Sequence, residues 1–86
     1  MTATIDHGSP VPVHQQLASI LRERILRGQI EPDQPIPSES DLQERYGLPR
    51  QAVRRAVQVL RDEGLVYTIA HRGSYVSSRA EETGGG

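Results

Sequence analysis

The sequence contains no cysteine, no lysine, no phenylalanine and no tryptophan. Without cysteine there is neither a disulfide framework nor a thiolate metal site, and a reducing compartment suits such a chain. Histidine could still hold a metal, but His7, His14 and His71 are far apart and lack ligand spacing, so no metal is expected. No run approaches the roughly 20 apolar residues of a membrane span, and the N-terminus lacks a basic-then-apolar signal pattern. A cytoplasmic location follows as the expectation. No carboxylate pair, Ser-His-Asp set or phosphate-cradling glycine loop is present, so neither catalysis nor a cofactor is expected. Ser38 with Asp41 resembles a nucleophile and its base only superficially, because helix capping explains both.

What remains is one small domain. At 86 residues the chain has room for a single core, and a domain of this size buries only about 60% of its unfolded-chain surface. The net charge of -1 hides a strong polarity. Residues 1–49 hold four arginines against seven acids, and residues 50–79 hold six against two. The missing lysines make every basic residue an arginine, whose planar fork of donors suits phosphate oxygens and the paired acceptors of a guanine edge.

Residues 1–10 carry no period and read as a flexible arm. From Pro12 the positions Val13, Leu17, Ile20, Leu21 and Ile25 follow the three-four spacing of a helix, which Gly28 ends. The stretch QIEPDQPIP has three prolines in nine residues, which excludes a helix and leaves Ile30 and Ile36 as inward plugs. Ser38 then supplies an N-cap for a short helix that buries Leu42 and Tyr46 and closes at Gly47. A third helix is predicted from Pro49 to Glu63, with Pro49 in its first turn, Val53, Ala56, Val57 and Leu60 inward, and Gly64 as terminator. After Gly64 the period becomes two: LVYTIA, the turn HRG and SYVSS form a hairpin with Tyr67 and Tyr75 as cross-strand neighbours. Residues 79–86 are a polar, glycine-rich flexible tail or the start of a linker.

Capped helix, glycine turn, amphipathic helix with basic and amide side chains at its start, then a β-ribbon: this order is a winged helix-turn-helix spanning residues 11–78, mainly α with one small hairpin. It also accounts for three arginines within LPRQAVRR. A B-DNA major groove about 12 Å wide admits a helix whose first two turns reach base edges. Arg50 and Arg54 share one face of that helix, and Gln51 and Arg55 flank it. Neither Arg54 nor Arg55 stands three or four residues from Asp62 or Glu63, so a salt-bridged surface explains them poorly. Arg22, Arg24 and Arg27 alternate with Glu23 and read as an ordinary solvated face, and Arg61 reads as a dipole partner or phosphate contact.

Together IPSESDL, R-x-x-V-R-x-A at Arg50 to Ala56, L-x-x-E-G-L-V at Leu60 to Val66 and RGSYV at Arg72 to Val76 resemble the DNA-binding domain of GntR-family bacterial transcription regulators. The resemblance implies sequence-specific binding to double-stranded DNA, commonly as a repressor, by a homodimer on a palindromic operator. By position it implies Arg50 and Arg54 on base edges or phosphates, Ser38 as the cap of the second helix, and the Arg72-Gly73 wing tip at the minor groove. Gln51, Arg55 and His71 complete the expected DNA-binding set, together with Pro49 at the head of the recognition helix. The chain departs from the family at Ser40, usually arginine, at Pro49, commonly serine or threonine, and at His71, often glycine. The competing class is a winged helix used as a protein-protein module, which would dispense with Arg50 and bind with little salt dependence.

Overall fold

The computed structural model describes residues 4–78; the expected tail at 79–86 and the first residues of the expected arm lie outside them. Three helices, α1 (Val13–Leu26), α2 (Glu39–Tyr46) and α3 (Arg50–Asp62), precede two antiparallel strands, β1 (Val66–Ile69) and β2 (Gly73–Val76). The fold is the expected winged helix-turn-helix, and all three helix boundaries fall within two residues of their sequence signals.

Each helix forms where its apolar spacing leaves one stripe to bury. In α1 that stripe is Leu17, Ala18, Leu21 and Ile25, with Ile20 only half-buried at its edge. In α3 it is Ala52, Val53, Ala56 and Leu60, with Val57 half-buried rather than inward. Leu42 is the buried residue of α2, and Tyr46 is half-buried. Leu17, Leu21, Leu42, Val53, Leu60 and Val76 are fully enclosed, so a wholly aliphatic core is shared by the three helices and the hairpin.

The Ser38 cap forms as its sequence position dictates. Its Oγ accepts the Asp41 amide at 3.1 Å, and its carbonyl accepts the Leu42 amide at 2.9 Å. Ser38→Ala is expected to cost about 1 kcal/mol, lowering Tm by about 4–8 °C in a domain of this size; circular dichroism melting measures it. At the far end of α3, Gly64 has φ of 77°. Its amide reaches the Arg61 carbonyl at 3.0 Å and the Leu65 amide reaches Leu60 at 2.9 Å, the paired bonds of a Schellman ending. That reversal places buried Leu65 against the core and launches β1 from the end of α3.

Two parts of the chain are more firmly tied than their composition suggests. Gln16 binds the arm on both sides: its Oε1 accepts the Asp6 amide at 2.8 Å, and its Nε2 donates to the Asp6 and Val11 carbonyls, each at 2.9 Å. The proline-rich segment does more than plug the core with Ile30 and Ile36, both of which are buried. It pairs with the free edge of β2. The Val76 amide donates to Gln34 at 2.9 Å and the Ile36 amide to Ser74 at 3.0 Å, with Pro35 opposite Tyr75 between them. Pro35 occupies the non-hydrogen-bonded position of this short ladder, where its missing N–H costs nothing.

Arg22 does not belong to a plain solvated face. Its Nε and Nη2 donate to the two carboxylate oxygens of Glu63 at 2.7 and 2.6 Å, fastening α1 to the end of α3. The Glu63 hydrogen bond raises the Arg22 pKa above its ordinary value, so the guanidinium stays charged.

Candidate nucleic-acid interface

The turn between α2 and α3 sets how the third helix is presented. Gly47 adopts φ of 64°, a left-handed conformation that reverses the chain, and Leu48 is buried beneath it. Pro49 stands one position earlier than expected: with ψ of 155° it is the N-cap of α3 rather than part of its first turn. Its carbonyl accepts the Ala52 and Val53 amides at 3.1 and 3.2 Å, but it has no side-chain acceptor for the first amides of the helix. The fixed proline φ still suits this junction, because the extended ψ needed before a helix is compatible with the ring.

Since α3 buries its stripe against α1, the opposite stripe is presented outward. Gln51, Arg54, Gln58 and Arg61 are exposed at steps of three or four, with Arg55 exposed beside Arg54 and Arg50 exposed at the helix start. The acids near this face are occupied. Gln58 donates to Asp62 at 2.9 Å, as their four-residue separation allows, and Glu63 is held by Arg22. Arg61 lies beside Gln58, its Nη1 3.4 Å from Oε1. Arg55 has no ion pair among the described residues. Arg50 and Arg54 both approach one carboxylate, that of Glu39 at the head of α2, at 3.4 and 4.0 Å.

The hairpin carries the remaining expected site residues. Val66 opposes Val76, Tyr67 opposes Tyr75, Thr68 opposes Ser74 and Ile69 opposes Gly73. The Tyr67 and Tyr75 rings stack with centroids 5.8 Å apart, as the sequence predicts for cross-strand neighbours. Tyr67 also donates its hydroxyl to Asp33 Oδ1 at 2.9 Å. That hydrogen bond raises the Tyr67 pKa above the ordinary phenol value. The phenol therefore keeps its proton through the neutral range, and the brace is lost on the alkaline side as pH climbs through the raised value. Beyond the brace, residues 70–73 are exposed, and the Arg72 amide closes the tip on the Ile69 carbonyl at 3.0 Å. His71 has φ of 66°, so it adopts the left-handed conformation that glycine takes most easily. The histidine thus keeps the turn shape at a torsional cost of about 1 kcal/mol.

The expected residues fall into two groups. Ser38, Pro49, Arg50, Gln51, Arg54 and Arg55 surround the α2-α3 junction, and His71, Arg72 and Gly73 form the hairpin tip. No side-chain hydrogen bond or ion pair joins the two groups among the described residues. Glu39 is the participant that sequence reasoning missed. Its helix-dipole role was readable from SESD, but its meeting with Arg50 requires the chain reversal at Gly47.

Comparison with known proteins agrees with this geometry. The family described as "Bacterial regulatory proteins, gntR family" matches residues 13–76. The HTH-type transcriptional repressor NagR of Bacillus subtilis is 40% identical over 73 residues, covering 85% of this chain and 30% of that protein. The HTH-type transcriptional repressor YtrA of the same organism is 30% identical over 79 residues, covering 92% and 61%. The chain spans about a third or less of the length of most of the curated relatives it matches. Among solved structures, the AraR DNA-binding domain in complex with operator ORR3 superposes with a TM-score of 0.77 at 28% identity, covering 90% of this chain and 93% of that one. YtrA from Sulfolobus acidocaldarius, a GntR-family transcription factor, gives a TM-score of 0.80 at 29% identity, covering 91% and 82%. With the profile match covering all three helices and both strands, the chain belongs to the GntR family of bacterial regulatory proteins, and residues 13–76 are its winged helix-turn-helix DNA-binding domain.

Proposed function

We propose that this domain binds double-stranded DNA sequence-specifically as part of a cytoplasmic bacterial transcription repressor, with α3 in the major groove and the hairpin tip at the minor groove. The observation that carries the reading is the outward stripe of α3. It is basic and amide-bearing, Glu63 at its far end is held by Arg22 and Asp62 by Gln58, and it stands on a helix whose other side is locked into the core. The AraR domain of similar fold is bound to operator DNA, and several relatives are named repressors.

In this arrangement Arg50 and Arg54 contact base edges or the phosphates beside them, Gln51 meets an adenine edge, and Arg55 takes a flanking phosphate. Ser38 and Pro49 place the first turns of α2 and α3 against the backbone, where helix N-termini favour anions. Arg72 enters the minor groove, with Gly73 allowing close approach and His71 beside them at the tip. The domain binds and does no chemistry. Two copies on a palindrome, with half-sites about one helical turn apart, gain effective concentration from the duplex itself.

A salt titration tests the reading. About five to seven phosphate contacts give a log-log slope of affinity against salt of about -4.5 to -6.3. A selected duplex should bind more tightly than a scrambled one at every salt concentration. Equal binding to both duplexes would remove the sequence specificity, and the absence of salt-dependent binding to either would remove the DNA reading in favour of a protein-docking module.

A further inference from the structure

Glu39, the first residue of α2, reaches across the helix-turn-helix to two arginines of α3. Its Oε1 accepts from Arg50 Nε at 3.4 Å, and its Oε2 lies 4.0 Å from Arg54 Nε. The two arginines are one helical turn apart, so a single carboxylate serves both. In each case the contact is made at Nε, the inner corner of the guanidinium. The terminal amino groups make no hydrogen bond among the described residues, and the two side chains are 70% and 65% exposed. A guanidinium has donors on both edges, so an acid at Nε is compatible with a base or phosphate at the amino edge.

An acid on a surface that approaches a polyanion opposes every phosphate brought near it. Arg55 and Arg72, the other arginines of the proposed interface, have no such partner among the described residues. We propose that Glu39 is a specificity-determining residue, acting through Arg50 and Arg54; this rests on the DNA-binding reading above. On the correct sequence Glu39 stays at the Nε corners while the amino edges meet their bases, and every charged group is partnered. On other sequences the arginines settle onto phosphates, which either pulls them off Glu39 or brings its charge against the backbone. The carboxylate therefore penalises the wrong complex more than the right one, and discrimination is the difference between those affinities.

The test compares the wild-type chain with Glu39→Gln and Glu39→Asp. The probes are a duplex of about 20 bp enriched from a random library by the wild-type chain, long enough for two half-sites, and a scrambled duplex of the same composition. Circular dichroism confirms that the exposed substitutions leave the fold intact. Glu39→Gln is expected to bind the scrambled duplex about two- to five-fold more tightly, the scale of an exposed ion pair. Its salt slope there should steepen by about 0.9 for each phosphate newly engaged. Its affinity for the enriched duplex should not rise, so the ratio between the two falls. Glu39→Asp keeps the charge on a shorter arm that releases the Nε contacts; it should match wild type on scrambled DNA and weaken on the enriched duplex. An equal effect of Glu39→Gln on both duplexes, or none on either, makes Glu39 only a dipole-compensating acid and overturns the proposal. If the wild-type chain itself enriches no sequence, the DNA-binding reading falls and takes this one with it.

Discussion

Leu21→Ala is expected to leave the domain close to its unfolding threshold at 25 °C. Leu21 has no exposed surface and lies in the middle of the α1 stripe that packs on α3. Leucine-to-alanine changes at such sites cost about 2.7–5.0 kcal/mol, the upper values where the surroundings cannot collapse into the space. Collapse is difficult here because the buried side of α3 in the same core offers only the compact aliphatic side chains of Val53, Ala56 and Leu60, none of them long and unbranched. A small domain commonly has about 0.05–0.15 kcal/mol of stability per residue, about 4–13 kcal/mol for a chain of this length, so the loss is a large share of the whole and, toward the lower end of that range, all of it. Urea titration followed by circular dichroism should show a midpoint moved to near zero denaturant, with Leu26→Ala on the same helix as the control. Leu26 is 52% exposed, and its truncation should stay within about 0.5 kcal/mol of wild type. Comparable losses at the two positions would mean that α1 is not fixed against α3 as described.

The contrast between Leu21 and Leu26 also marks where the sequence was informative. Periodicity located α1 and its buried side because burial of a helix stripe repeats every three or four residues. Ser38, Gly47 and Gly64 marked ends because a cap or a left-handed residue works through bonds to amides and carbonyls a few positions away. The hairpin register could be anticipated from the two tyrosines flanking a short turn. What stayed hidden was long-range. Arg22 and Glu63 are 41 residues apart, and Tyr67 and Asp33 are 34 apart. Nothing in the local pattern of either pair announces the other. The pairing of residues 34–36 with β2 was masked by Pro35, which looks like a strand breaker until its position in the ladder is known. Candidate DNA-facing residues were readable as a set because they share one helix face, whereas the Glu39 contribution depends on how two helices meet.

Arg54→Ala is expected to abolish preference for the selected duplex while leaving the protein folded. The side chain is 65% exposed and its one charged neighbour lies 4.0 Å away, so little stability depends on it. Alanine is a better helix former than arginine, which excludes a helix-breaking explanation for any loss of binding. If Arg54 makes a bidentate contact with a base edge, its removal costs about 1–3 kcal/mol on the selected duplex, a weakening of about five- to 150-fold. On scrambled DNA the same substitution should cost far less, because no base there matches the arginine. The salt slope separates this from a phosphate role: a lost phosphate contact weakens both duplexes alike and reduces the slope by about 0.9, whereas a lost base contact leaves the slope nearly unchanged. Arg55→Ala, on the flank of the same helix and without an ion-pair partner among the described residues, should show the phosphate pattern. If the two variants instead behave identically, α3 enters the groove rotated from the orientation proposed here, and Arg54 and Arg55 share one role.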